Sequence, residues 1–155
     1  MSRQLISEAK GYEILKKIGV PIPRYALATT ISEAVAAAGI TGFPLVLKVV
    51  SPQVVHKSDA GGVITGIRNT EVLLGAYDKI LSNVRAYDPS ATIEGIMVEQ
   101  QLDKGLEIII GGRIDPAFGK VITIGMGGTL VELIKDVSIR ILPVTHTDIN
   151  AMLHE

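Results

Sequence analysis

Ala9, Tyr12, Leu15 and Ile18 recur every third position, and Gly19, Pro21 and Pro23 then halt the run. That spacing predicts a first helix from Ser7 to Ile18. Arg24 to Thr29 is a short strand candidate. Thr30-Ile31-Ser32-Glu33 has the form of a capping box and opens an alanine-rich helix expected to stop near Gly39. Phe43 to Val50 is apolar and β-branched almost throughout, as in a strand covered on both faces. Val63 to Ile67 is a further strand. Asn69 or Thr70 caps a long helix that carries Val72, Leu73, Ala76, Tyr77, Ile80, Leu81 and Val84 on one face and ends at Asp88-Pro89. Ile93 to Leu102, Leu106 to Asp115 and Lys120 to Gly125 are predicted as three consecutive strands, antiparallel because their turns are short and carry glycine. Thr129 to Pro143 reads as helix then strand, and Asp148 begins a last helix. Pro89 marks a boundary between a part spanning 1–90 and a part spanning 91–155.

Composition narrows the class. The chain has 155 residues, 47% of them hydrophobic, so a core is within reach without disulfides. There is no cysteine, which excludes disulfides, Cys-based zinc sites and a thiol nucleophile. A net charge of −1 with interspersed signs gives no footprint for nucleic acid or an anionic membrane. The absence of Trp and the two Phe argue against base-stacking platforms. The start is charged and unlike a signal peptide, and no apolar run is long enough to span a bilayer. A soluble, cytoplasmic α+β protein is expected.

Four features could carry chemistry. Lys48 is the one charge within the Phe43–Val50 run, so its ammonium needs either an anionic partner or an exit at a strand edge. Gly61-Gly62 could admit an anion to backbone amides, or could simply make a turn. His56 could serve as base, ligand or phosphoryl acceptor, although a lone loop histidine is usually only exposed. No second histidine stands at metal-ligand spacing, so no metal site is expected. Glu99, late in its strand, could read a purine amino group or a ribose. Glu107 would lie nearby if the two strands formed a hairpin, and two solvated carboxylates is the plainer reading. Together these describe a strand lysine, a glycine-bearing loop and a strand-borne Glu pair, an arrangement suited to holding a nucleotide.

The stretches FPLVLKVVSPQVVHKSDAGGV and MVEQQLDKGLEIIIGGRIDPAFGKVITIGMGGTLVELIKDVSIRILP resemble the ATP-grasp part of the NDP-forming acyl-CoA synthetases, typified by ADP-forming acetyl-CoA synthetase. The resemblance runs from Phe43 to Pro143 and rests on the combination of HKSDAGGV with DPAFG, GMGG and VELIKD. It implies an α+β ATP-grasp fold, with two α/β lobes around a nucleotide cleft. It also implies the reversible conversion of acyl-CoA, ADP and phosphate to acid, CoA and ATP through a phosphohistidine relay. His56 would be the relay residue. Lys48 would meet nucleotide phosphate, and Gly61, Gly62 and Val63 would cradle phosphates. Glu99, Gln100, Gln101 and Leu102 would form the adenine hinge, and Glu107 would hold the ribose. Asp59 would orient the His56 ring or cap its loop. Arg113, Asp115 and Arg140 match family positions for which ion pairing is the default.

The end of the chain departs from this pattern. The family's magnesium-binding carboxylates fall in a late segment resembling DINP, and Asp148-Ile149-Asn150-Ala151 is only superficially like it. The magnesium ligands, part of the second lobe and the CoA-binding domains are therefore expected to lie outside this chain. Three expectations follow: no synthetase activity for the chain alone, a CoA-binding partner bearing the first phosphohistidine, and self-association, or pairing with the synthetase's other subunit, through uncovered strands. The competing expectation is a non-catalytic nucleotide-binding or assembly module of the same fold.

Overall fold

The computed structural model describes residues 6–128 and 137–155. The chain divides into two compact units, Met1–Leu102 and Asp103–Glu155. Each is described by itself.

The first unit contains α1 (Glu8–Lys17), β1 (Tyr25–Ala28), α2 (Ile31–Thr41), β2 (Leu45–Val50), β3 (Val63–Ile67), α3 (Thr70–Tyr87) and β4 (Gly95–Gln100). Its sheet runs β1-β4-β2-β3 with every neighbour antiparallel. Ser7, Thr30 and Asn69 cap the three helices through their side chains, and Thr30 with Glu33 completes the predicted capping box. Helix α2 continues through Gly39 to Thr41 and is capped at Gly42. Its buried Ala34, Ala37, Ala38 and Thr41 form one face of small side chains, which lets the helix lie close to the sheet. Helix α3 buries Leu73, Ala76, Tyr77, Ile80 and Val84, while Val72 is exposed.

These two helices and one face of the sheet make the core. Leu45, Leu47 and Val49 of β2 and Ile96 and Val98 of β4 belong to it. Alternation then places Val46, Lys48 and Val50, with Met97 and Glu99, on the opposite face. Val46 and Val50 are also buried there. Both faces of β2 are therefore covered, as its continuous apolar run requires. Strand β4 explains the position of the division at Leu102. It is predicted as the first of three hairpin-linked strands, yet it is flanked by β1 and β2. A strand buried on both faces belongs inside a sheet. Pro89 is thus internal to the first unit.

The second unit has β5 (Ile108–Asp115), β6 (Gly119–Met126) and β7 (Val137–Ile141) in an antiparallel sheet, followed by α4 (His146–His154). Asp115 Oδ1 accepts from the amides of Ala117 and Phe118 and shapes the β5–β6 turn. Thr145 and Asp148 form a capping box at α4. Glu155 accepts from Ser138 Oγ at 2.6 Å and pairs with Arg140. The helix predicted within Thr129–Pro143 falls on 129–136, outside the described residues; the strand after it is β7.

Candidate functional site

Lys48 does not leave the sheet at an edge. Its Nζ donates to Glu99 at 2.9 and 3.0 Å and to Glu8 Oε1 at 2.7 Å. Glu99 lies on the adjacent β4, on the same face and diagonal to Lys48, which suits a long side chain. Glu8 comes from the first turn of α1, a helix whose Glu8 and Tyr12 side chains reach this face of the sheet. The other Glu8 oxygen accepts from Lys57 Nζ at 2.5 Å. Tyr12, one turn further along α1, donates its hydroxyl to Glu99 at 2.9 Å and also reaches Glu8 at 3.3 Å. Its ring packs against Tyr25 at a centroid distance of 5.0 Å. Two ammoniums, two carboxylates and a phenol thus form one half-buried, charge-balanced network.

Electrostatics follow from that balance. Burial pushes the Glu8 carboxyl up, but hydrogen bonds from Lys48 and Lys57 and the two charges behind them outweigh it and hold it below the usual range. Burial pushes Lys48 down, yet Glu8 and Glu99 more than reverse this and leave the ammonium favoured. Burial, then Glu99, keeps the Tyr12 phenol protonated well beyond its ordinary range.

Lys57 also opens the turn that bears the glycines. Gly62 N–H donates to Lys57 O at 2.7 Å and Gly61 N–H to Ser58 O at 3.0 Å. With Gly61 at φ 60°, this is the paired bonding that terminates a helical turn in the left-handed region. The resemblance implies phosphate cradling by these two amides, but both are already donated within the turn. Close packing supplies the physical reason for the glycines. A Cβ on Gly61 would meet Asn83 Nδ2 at 2.6 Å, and one on Gly62 would meet Val49 Cγ1 at 2.5 Å. Asn83 of α3 donates to Gly61 O at 3.0 Å and pins the turn to the helix. Val63 follows in β3, opposite Lys48. His56 is exposed just before the turn, and its carbonyl accepts from Ala60 N–H at 3.3 Å. Asp59 is exposed within the turn.

The remaining predicted positions divide between the units. Glu99 is buried, with β1 and β2 on either side, so its carboxylate serves Lys48 and Tyr12 and no strand edge is open there for a purine. Gln100 Oε1 accepts from Arg24 Nε at 3.2 Å, and Gln101 Oε1 from Gly66 N–H at 2.6 Å. Leu102 is exposed. Glu107 precedes β5 in the second unit, so it is no hairpin partner of Glu99; its carbonyl accepts from Gly127 N–H at 2.7 Å. Arg113 pairs with Asp115, and Arg140 with Glu155. Among the described residues no group of three or more His, Asp or Glu is placed to hold a metal, and Asp148 is engaged in its cap. These residues do not fit a magnesium ion. Glu8 and Tyr12 were missed by sequence reasoning. The available signal was that both lie on one face of the first helix and are polar.

The ATP-grasp domain family model matches residues 1–155. The β subunit of acetate–CoA ligase [ADP-forming] I from Pyrococcus furiosus is 43% identical over 148 residues, which cover 96% of this chain and 64% of that one. A solved structure of Ca. Korarchaeum cryptofilum dinucleotide forming acetyl-coenzyme A synthetase 1, in complex with coenzyme A, Ca-AMPCP and HgCl+, superposes with a TM-score of 0.93 at 43% identity. It covers 97% of this chain and 66% of that chain. A second structure of that synthetase, with coenzyme A, Mg-AMPPCP and a phosphohistidine segment pointing towards the nucleotide binding site, has a TM-score of 0.77 at 36% identity. It covers 97% of this chain and 63% of that chain. The chain thus spans just under two thirds of the length of these relatives. Its α+β architecture, its antiparallel sheets and the match along its length lead to one assignment: the chain belongs to the ATP-grasp family.

Proposed function

We propose that the chain is the nucleotide-binding part of an ADP-forming acyl-CoA synthetase, working with a CoA-binding partner that carries the first phosphohistidine. The observation that carries this reading is the 43% identity to an ADP-forming acetate–CoA ligase β subunit across 96% of the chain. In the proposed relay, a neutral His56 nitrogen attacks the phosphorus on the partner's phosphohistidine. A P–N bond forms at His56, and the partner's P–N bond breaks with its electron pair returning to the partner's imidazole. An ADP phosphate oxygen then attacks the same phosphorus, the His56 P–N bond breaks, and ATP forms. His56 suits this role because it is exposed beside the turn rather than packed. The step needs placement and charge neutralisation more than covalent machinery. Lys48 and Lys57 supply the positive charge, Val63 borders the phosphates, and Gln100 to Leu102 border the base.

The test is label transfer. Partner chain phosphorylated with 32P is mixed with this chain, and acid-labile label is followed. Transfer to wild type and its loss in His56→Asn are expected. Label that persists in His56→Asn, or that never reaches wild type, overturns the relay. Persistent ADP binding without any transfer would instead favour a non-catalytic nucleotide-binding module.

A further inference from the structure

Lys48 has three N–H donors, and three carboxylate oxygens accept from it: both of Glu99 and one of Glu8. An arriving phosphate can gain a hydrogen bond from Lys48 only if one of those oxygens gives way. Glu99 is the harder to displace. Its side chain is 8% exposed, it sits on the inner strand β4, and Tyr12 holds its second oxygen. Stripping it of Lys48 would strand a buried charge. Glu8 is 25% exposed and belongs to α1, a helix with no buried residue. Released, its carboxylate can rehydrate at little cost.

Glu8 also bridges two ammoniums, one on each oxygen. Lys48 comes from β2 and Lys57 from the turn beside His56, so they are brought together around a single anion. A phosphate presents oxygens at comparable spacing and at least as much charge. We infer that Lys48 and Lys57 form a phosphate-binding pair held by Glu8 as an internal counter-ion, which an incoming phosphate displaces. Helix α1 then stays tethered by Tyr12 against Tyr25 and Glu99 while its first turn lets go. The inference deepens the proposed function and rests on its reading of the chain as nucleotide-binding.

Calorimetric titration of the full chain with ADP, pyrophosphate and adenosine tests it. Glu8→Gln is expected to bind ADP and pyrophosphate about tenfold more tightly than wild type, with adenosine unaffected. Lys57→Gln is expected to weaken binding of both phosphate compounds. Equal or weaker binding of them by Glu8→Gln, or an equal gain for adenosine, overturns the inference. Pyrophosphate binding that depends on residue 8, without any ADP binding, would sink the nucleotide reading and leave the anion pair standing. ADP binding indifferent to residue 8 would do the reverse. A second measurement needs no variant: exchange of the Lys10 and Gly11 amides, both bonded to Ser7, should quicken in wild type when pyrophosphate saturates. Unchanged or slowed exchange there overturns the release of the first turn of α1.

Discussion

At Gly62 a single added carbon would press on Val49 in the core, and at Gly61 it would press on Asn83 with φ already in the left-handed region. The two glycines therefore fail differently when changed. Gly62→Ala should cost about 2 kcal/mol, because the overlap is with a branched, packed side chain. Gly61→Ala should cost about 1 kcal/mol from backbone conformation, and more if Asn83 cannot turn aside. Urea midpoints at constant slope would measure both, and unaltered midpoints would show the turn to be slack. The stretch HKSDAGGV was legible as a turn with an exposed histidine. The purpose of its glycines was not, because Val49 and Asn83 come from β2 and α3, and no local pattern shows that they converge. Lys48 was legible as an anomaly for a plain reason: a charge inside an apolar strand must find a partner. Its partner Glu8 lies 40 positions away on a separate helix, and spacing alone cannot register that contact.

Helix α1 is fixed to the sheet mainly by polar contacts, so its attachment should respond to pH at both ends. Burial raises and the two lysines lower the Glu8 carboxyl, with a net lowering. Its contribution is complete above the ordinary value of 4.5 and is lost as pH falls through the lower folded value. Lys48 is shifted up on balance, so its contribution is complete below 10.5 and is lost as pH rises through the higher folded value. Unfolding midpoints between these limits should form a plateau. Glu8→Gln should remove its part of the acid step and keep an alkaline one; an unchanged acid limb would show that Glu8 adds nothing to stability. At this scale the helix starts were legible, since Thr30 and Glu33 announce a cap within four residues. The placement of β4 was not. Short glycine-bearing connections suggest a hairpin with the next strand, but residues 95–99 are all buried, and that demands neighbours on both sides.

The hydrophobic core of the first unit uses residues between Ala28 and Val98, while the second unit contributes only a few buried side chains among its described residues. Residues 1–102 produced alone should accordingly unfold cooperatively on heating, followed by far-UV circular dichroism. Residues 1–92, which lack β4, should show no such transition. A cooperative melt of the shorter piece would mean that β4 is dispensable. The strand order β1-β4-β2-β3 carries one more implication, concerning the time at which the unit is made. During synthesis β2 and β3 can pair early, since they are neighbours in sequence as in space. Strand β1 has no place until β4, some 70 residues later, has emerged and settled beside it. Glu99 arrives on that same strand, so Lys48 has no carboxylate of the sheet beside it until then. The polar network around Lys48 and the core that supports it are completed by one late event, and a nascent chain cannot finish the one on an unfinished sheet.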